Sequence, residues 1–393
     1  MKLIQFGAGN IGRSFLGQLF AKAGWDVAFV DVNATVVGLL NEKKAYTVVI
    51  KREGRSDERR LVGPVRAVDG RDAAAVAAEI ADADLVATSV GKGAFPKILP
   101  VIARGLVERQ KRTPSKPLDI IIAENARGAD AFFRETLARE LGPEYPLGAL
   151  VGLVETSIGK MVPIMRAEDL AVDPLQVFAE EYEELILDGR GFRSSVPAVA
   201  GLHPVDEIEA YVDRKLFVHN LGHASAAYLG FLANPKVVYL PQALQLEGVE
   251  KGARAAMMEG CAALAEAYPH AYNTRELEAH VEDLILRFRN TALGDTIHRV
   301  GRDLYRKLDR EDRMAGAMRL CSRQGKLFEA IAAAYRAAIE FAAPDENGKL
   351  FPDDERFRAE ERPKGLGHIL RNISHLDPSD TVDERVIASL ENS

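Results

Sequence analysis

Residues 2–14, Lys2-Leu3-Ile4-Gln5-Phe6-Gly7-Ala8-Gly9-Asn10-Ile11-Gly12-Arg13-Ser14, decide how the rest of the chain is read. The run Lys2–Phe6 has the composition of a buried strand. A G-x-G-x-x-G turn follows it at once, and then a helical pattern with Phe15, Leu16 and Leu19 on one face. Glycine-rich turns are common, but this one links a strand to a helix, where each glycine has a mechanical reason. Gly7 permits the tight turn, Gly9 lets the backbone approach a pyrophosphate, and Gly12 lets the helix pack on the strand. Ala8, Asn10 and Ile11 complete the loop, and the free N–H groups at the helix start face the phosphates. Asp31 ends the next strand, nineteen residues after Gly12. A carboxylate there hydrogen-bonds the adenine-ribose 2′-hydroxyl and repels a 2′-phosphate, so the loop is read as an NAD site.

The same alternation continues to about Ser157. Strands are expected at Lys2–Phe6, Asp26–Val32, Asp84–Val90, Leu118–Ala123 and Ala149–Val154. Helices are expected at Asn10–Lys22, Ala34–Asn41, Ala73–Ile80, Phe95–Glu108 and Ala129–Leu141. Continuous apolar strands alternating with helices indicate a parallel sheet covered on both faces. Tyr46–Val65 carries two β-rich runs around a charged turn and reads as an inserted hairpin. Leu175–Leu187 reads as antiparallel strands added to the sheet. The stretch Gly189–Pro204, rich in Gly, Pro and Ser, reads as an interdomain connection, and Pro344–Pro363 as a solvated loop. The fold class expected is therefore α/β. A Rossmann-type doubly wound sheet with added antiparallel strands fills residues 1–200, and a mostly helical substrate-binding domain fills 201–393.

Composition narrows the function. The chain has 393 residues, 47% of them hydrophobic and 28% charged, with a formal net charge of -7. That balance gives no basic face for a nucleic-acid partner. Two cysteines, Cys261 and Cys321, rule out a disulfide framework and suit a reducing compartment. No apolar run reaches the roughly eighteen residues needed to span a bilayer, and the start MKLIQFGAG lacks the apolar core of a signal peptide. The expectation is a cytoplasmic protein with neither a membrane nor a nucleic-acid partner.

The second informative stretch is RKLFVHNLGHASAAYLG, Arg214–Gly230. On an α-helix, at about 100° per residue, Lys215, His219, His223 and Asn220 fall on one face. An ammonium, an amide and imidazoles thus converge where packing would favour apolar side chains. Gly222, which costs a helix roughly 1 kcal/mol relative to Ala, marks a close approach to the backbone. His219 and His223 at i,i+4 lack the Glu and the third ligand of a metal site, so no metal is expected. Oxidising a secondary alcohol needs a base for the hydroxyl proton while hydride leaves. A lysine with a lowered pKa serves as that base, and amide donors stabilise the developing alkoxide.

Lys215, Asn220 and His223 spell K-x-x-x-x-N-x-x-H, and with them the chain resembles the polyol-specific long-chain dehydrogenases, the mannitol dehydrogenase family. The likeness extends through GAGNIGRS, ENARG (Glu124–Gly128), RVGRDLYRKL (Arg299–Leu308) and HILRNISHLD, nearly end to end. It implies that Lys215 is the general acid/base and that Asn220 and Asn125 form an oxyanion hole. It further implies that His223 orients the substrate and that Arg299 and Lys307, taken as one helical face, contact it. Arg302 and Arg306 add charge suited to a phosphate. The family's S-x-V-D-R pattern is replaced by Ser157-Ile158-Gly159-Lys160, which offers Lys160 as a further cation, and Leu320–Phe328 lacks the family's Gly-Leu-Pro-like turn. The implied reaction is NAD-linked, metal-independent interconversion of D-mannitol 1-phosphate and D-fructose 6-phosphate by a monomer or weak homodimer. Rival readings are a sister activity on mannitol, arabinitol or a hexuronate such as tagaturonate or fructuronate, and a silent NAD-binding sensor.

Overall fold

Eleven strands are formed by β1 (Lys2–Phe6), β2 (Asp26–Asp31), β3 (Tyr46–Ile50), β4 (Glu58–Val62), β5 (Val65–Asp69), β6 (Leu85–Thr88), β7 (Leu118–Ile122), β8 (Val151–Ser157), β9 (Val177–Ala179), β10 (Leu185–Asp188) and β11 (Leu202–Val205). They come from a computed structural model that describes residues 1–124, 128–163, 165 and 167–391. The backbone parts into two units, Met1–Ile208 and Glu209–Ser393.

In the first unit the main sheet runs in the order β11-β10-β8-β7-β6-β1-β2-β5. Every neighbouring pair is parallel except β8 with β10. Leu3, Phe29, Leu85 and Ile121 lie in an apolar cluster on one face, and Ile4, Val30, Val86 and Ile120 in a cluster on the other. A central strand in such a sheet has no solvated face, which is why these segments read as unbroken apolar runs rather than as alternation. Asn33 and Asp72 start two of the covering helices, each accepting from two main-chain N–H groups.

The Tyr46–Val65 region is the expected hairpin, β3 with β4, but it does not stand alone. β9 joins β3 in parallel, making a separate three-stranded sheet. Of the strands expected in Leu175–Leu187, β10 joins the main sheet, antiparallel to β8, whereas β9 does not. β5 was not expected: the Gly63-Pro64 break ends β4, and Val65–Asp69 then pairs with β2 as the edge of the main sheet.

The second unit is helical, with long segments Leu221–Ala233, Val249–Ala267, Thr274–Phe288 and Glu329–Ile339. Asn273 and Glu276 form a reciprocal capping box at the start of one of them. Asp383, wholly buried on the final helix Thr381–Glu391, pairs with Arg319 at 2.6 Å and Arg310 at 2.7 Å. Pro344–Pro363 is not simply a solvated loop. It holds a helical turn, Pro352–Arg356, whose Asp354 is buried and accepts from the N–H groups of Asp303 and Leu304. Phe357 packs edge-on to Tyr305. Cys261 and Cys321 are free, buried thiols that burial pushes up to about 12. Among the described residues no helix is long and apolar enough to cross a membrane.

One buried carboxylate fastens the first unit. Asp119 on β7 accepts from the N–H of Arg193 at 2.7 Å and of Ser194 at 3.1 Å, across 74 and 75 residues of chain. A Cβ at Gly152 would sit 2.0 Å from its Oδ1, so the neighbouring strand must be bare at that point. Asp119→Ala leaves two main-chain donors unpaired and is expected to cost about 2 kcal/mol or more. Trp25, the single tryptophan, is buried in this unit. Its fluorescence during urea unfolding reports the change as a lowered midpoint, and an unchanged midpoint would show that Asp119 does not fasten the Arg193–Ser194 segment.

Candidate active site

The glycine loop leaves β1 with Gly7 at φ +91°, in the left-handed region, where a Cβ would sit 2.5 Å from the Ser89 carbonyl oxygen. At Gly12 it would sit 2.0 Å from the Gly7 carbonyl oxygen, so the turn closes only if both positions are glycine. A Cβ at Gly9 would meet nothing within 4 Å, and Gly9 and Asn10 are exposed beside a buried Ala8. Ile11 is half-buried at the start of the helix. The loop thus packs inward at its ends and presents open main chain in its middle.

Asp31 binds this loop directly. Its Oδ2 accepts from the Ala8 N–H at 2.7 Å and its Oδ1 from the Asn33 N–H at 2.8 Å. The carboxylate therefore stands at the carboxyl end of β2 against the loop, where an adenine ribose would be met. Glycine cradle, open centre and adjoining carboxylate together fit a dinucleotide. Two supports escaped the sequence reading. The helix after the loop is a π-helix over Gly12–Gly17, and buried Arg13 donates to the carbonyls of Ala8 and Leu175. Glu124, buried behind β7, accepts from the N–H groups of Val90 and Gly91, and burial raises its pKa. Asn125 lies outside the described residues.

In the second unit the stretch 215–220 is also a π-helix, between helices Ile208–Arg214 and Leu221–Ala233. The Leu221 N–H donates to the carbonyl of Leu216, five residues back. The α-helical wheel used for this stretch therefore does not apply. An i→i+5 turn carries one more residue than an α turn, so the angular positions read from the wheel shift across this stretch. Single π turns inside α-helices are frequent at functional sites. Gly222 is indeed a close approach: a Cβ there would meet the Met257 Sδ at 2.2 Å. Its counterpart is Gly260, whose Cβ would meet the Phe217 carbonyl at 2.3 Å. The helix Val249–Ala267 thus presses its main chain onto the π segment.

Lys215 is half-buried, and its pKa is lowered to about 8, chiefly by burial and then by the charge of Arg313, against a smaller opposite effect of Asp312. His223 is held on two sides. Its Nε2 lies 3.1 Å from the Asp295 Oδ2, and its ring stacks on Phe288 at 4.8 Å between centroids and 17° between planes. Burial, and then the charge of Arg299, keeps its pKa well below the usual imidazole value, so it is neutral at neutral pH. Asp295, 4% exposed, also pairs with Arg299. Burial and the neighbouring Arg302 pull the Arg299 guanidinium down to about 10, which still leaves it charged at neutral pH and able to hold the pair.

The structure redistributes the other expected cations. Arg299 and Lys307 do not share one helical face, because the chain breaks at Asp303, with φ 75°, between the short helices Ile297–Gly301 and Leu304–Lys307. Lys307 is buried and donates to the carbonyls of Val300 (2.6 Å) and Arg302, capping the first of these helices. Lys160, in the first unit, is buried and donates to the Tyr182 carbonyl at 2.7 Å, with its ammonium 5.2 Å from the Phe15 ring centroid. Both ammonium groups thus already have main-chain carbonyl partners. Arg306 pairs with Asp303 and Asp312. Arg302 is exposed and lies over the Phe351 ring at 5.5 Å. Asp295, Phe288, Asp312 and Arg313 were missed by the sequence reading. The one signal for them was the i,i+4 spacing of Asp295 and Arg299, since His223 and Asp295 stand 72 residues apart. Among the described residues no group of three or more His, Cys, Asp or Glu side chains could hold a metal ion.

Fold and residues together are those of a Rossmann-type oxidoreductase. Family models described as the mannitol dehydrogenase Rossmann domain and the mannitol dehydrogenase C-terminal domain match residues 1–201 and 207–391, and the chain belongs to that family. It is 36% identical over 393 residues to mannitol-1-phosphate 5-dehydrogenase of Bacillus subtilis, covering 99% of this chain and 100% of that one. It is 34% identical over 388 residues to the Brevibacillus brevis protein of the same name, covering 98% and 96%. Among solved structures it is similar to Pseudomonas fluorescens mannitol 2-dehydrogenase in a ternary complex with NAD and D-mannitol. That match has a TM-score of 0.72 at 17% identity and covers 99% of this chain and 90% of that one. A substrate-free D-sorbitol dehydrogenase matches with a TM-score of 0.76 at 18% identity, covering 99% and 92%.

The close approach at Gly260 carries a test with an unusual sign. In an open helix, Gly→Ala stabilises by up to about 1 kcal/mol. Here the new methyl meets main chain at Phe217, so Gly260→Ala is expected to destabilise by about 1–3 kcal/mol and to reduce turnover. Urea unfolding followed by circular dichroism, beside a rate measurement, checks both, and a stabilised variant would refute the tight packing.

Proposed function

We propose that this chain interconverts D-mannitol 1-phosphate and D-fructose 6-phosphate with NAD(H), using Lys215 as general acid/base. The observation that carries the chemistry is a lysine and an amide on one π turn, Lys215 and Asn220, followed by the imidazole of His223 held by Asp295, with burial lowering the lysine to about 8. The names of the relatives, at 34% and 36% identity over nearly the whole chain, carry the substrate.

Gly7–Gly12 would hold the pyrophosphate and Asp31 the adenine ribose, its charge disfavouring a 2′-phosphate. The bound nicotinamide supplies the hydride acceptor or donor. Lys215 takes the hydroxyl proton when the alcohol is oxidised and returns it when the ketone is reduced. Asn220 donates its amide N–H to the oxygen on which charge develops, and Asn125 is proposed to do the same. His223 fixes a substrate hydroxyl. The scheme calls on no metal. For the phosphate, the reading shifts to Arg302, which is exposed, with Arg299 beside it as a second guanidinium.

The sign of the pH dependence follows from the lysine. Oxidation needs neutral Lys215, so kcat/KM for mannitol 1-phosphate is expected to rise with pH and level off above about 8. Reduction needs the ammonium, so its rate should fall as pH rises through the same value. Lys215→Ala should lose several orders of magnitude in turnover and both limbs of the profile, while still binding NADH. A folded Lys215→Ala protein with near-native turnover and profile would remove the lysine from the mechanism.

Substrate choice is tested separately. Fructose 6-phosphate is expected to exceed fructose about a hundredfold in kcat/KM, near 2.7 kcal/mol. Arg302→Ala should cut that ratio about tenfold, the size of one charge-assisted contact. Equal efficiency on the two sugars would overturn the substrate and leave the dehydrogenase chemistry in place.

A further inference from the structure

The contact between His223 and Asp295 fixes more than the direction of a ring. A carboxylate only accepts hydrogen bonds, whereas a neutral imidazole has one N–H and one lone pair. Asp295 meets Nε2, at 3.1 Å. We propose that Asp295 is a positioning residue that holds His223 as its Nε2–H tautomer, leaving Nδ1 as a hydrogen-bond acceptor for a hydroxyl of the substrate.

Asp295 has little freedom to do otherwise. Its carboxylate is paired with Arg299. Its main chain is also held. The Asp295 carbonyl accepts from the Leu240 N–H at 2.9 Å, Tyr239 and Thr296 form an antiparallel bridge, and the Ile297 N–H donates to Val238 at 2.8 Å. The imidazole is equally constrained, by the stack on Phe288 and by His219, whose ring lies against both Phe288 and His223. The charged and titratable groups around it are Arg299, Lys307, Arg313, Arg287 and His219, the cations among them opposing an imidazolium.

The consequence concerns the division of labour in the proposed reaction, on which this inference rests. A His223 that accepts at Nδ1 cannot donate a hydrogen bond to the reacting oxygen. Stabilising that oxygen then falls to Lys215 and the asparagine amides, and His223 selects for a substrate that offers a free hydroxyl donor. Polyols carry such donors on every carbon, so the device suits this substrate class.

The test reads the tautomer directly. In the full-length protein labelled with 15N-histidine, long-range 1H–15N correlation at neutral pH should show the His223 ring, identified by its loss in His223→Gln, as the Nε2–H form. An Nδ1–H form or an imidazolium would overturn the proposal without reference to any activity. Asp295→Asn presents an amide of the same shape that can donate as well as accept, and should release the preference to a mixture. It should also lower kcat/KM for fructose 6-phosphate by about 10- to 100-fold, the scale of losing the outer hydrogen-bond partner of a functional imidazole, with NADH affinity unchanged. A folded Asp295→Asn protein with wild-type kcat/KM would equally overturn it. Should that variant not fold, the wild-type tautomer decides. A wild-type enzyme in the Nε2–H form that fails to turn over the sugar phosphate would defeat the proposed function and leave the tautomer assignment standing.

Discussion

Burying a cation costs free energy unless acceptors or a counter-charge meet it, and the helical unit is organised around that constraint. Its interior holds Lys307, Arg313 and Arg319 below a tenth exposed, with Lys215 and Arg299 partly covered beside them. Each buried charge is answered, most by near neighbours along the chain and one, Arg319, by Asp383 from 64 residues away. Asp383 and Glu311 meet Arg319, Asp312 meets Arg313, Asp295 meets Arg299, and the carbonyls of Val300 and Arg302 meet Lys307. The Asp383–Arg319 pair joins the final helix to the helix Ala315–Arg323, so satisfying that charge also fixes how those two helices pack. Burial, and then the same concentration of positive charge, lowers the Lys215 pKa and keeps His223 neutral. Structure and chemistry therefore have one electrostatic cause.

Close main-chain contact is the second constraint, and it recurs at both places where chemistry is expected. In the first unit, Gly12 lies against the Gly7 carbonyl, and in the second Gly260 lies against the Phe217 carbonyl. Each contact adjoins a π-helical segment, Gly12–Gly17 in one case and Lys215–Asn220 in the other. An i→i+5 turn carries one more residue than an α turn, which costs regularity and re-aims side chains. Tight packing against glycine supplies the compensating contacts that let such a turn persist. That accounts for helix-weakening glycines in helices that do functional work.

Much of this was legible in the chain itself. The βα alternation, the glycine loop and Asp31 could be placed because they depend on local periodicity and on short, fixed spacings. Lys215, Asn220 and His223 could be singled out because polar groups stood where apolar ones were due. For Lys307 and Lys160 the structure shows main-chain carbonyls as partners, which sequence could not foresee, for one reason in both cases. A lysine in sequence is only a charge on a long stem, and whether it meets a substrate or a carbonyl depends on what folds against it. β5 was missed because a Gly-Pro break was read as part of a single strand.

Sequence alone thus determined the class of fold, the position of the dinucleotide loop and the chemical kinds of residue at the site. Those are properties of neighbours along the chain, where backbone geometry dictates the spacing. Tertiary structure alone decided which cations are occupied, that residues 215–220 wind as a π turn, and that Asp295 stands behind His223. The contacts of Asp295 with His223 and of Gly260 with Phe217 join residues tens of positions apart, and the partners of Lys307 depend on how the chain turns at Asp303. Burial and pairing there set pKa and hydrogen-bond direction, and no local pattern encodes them.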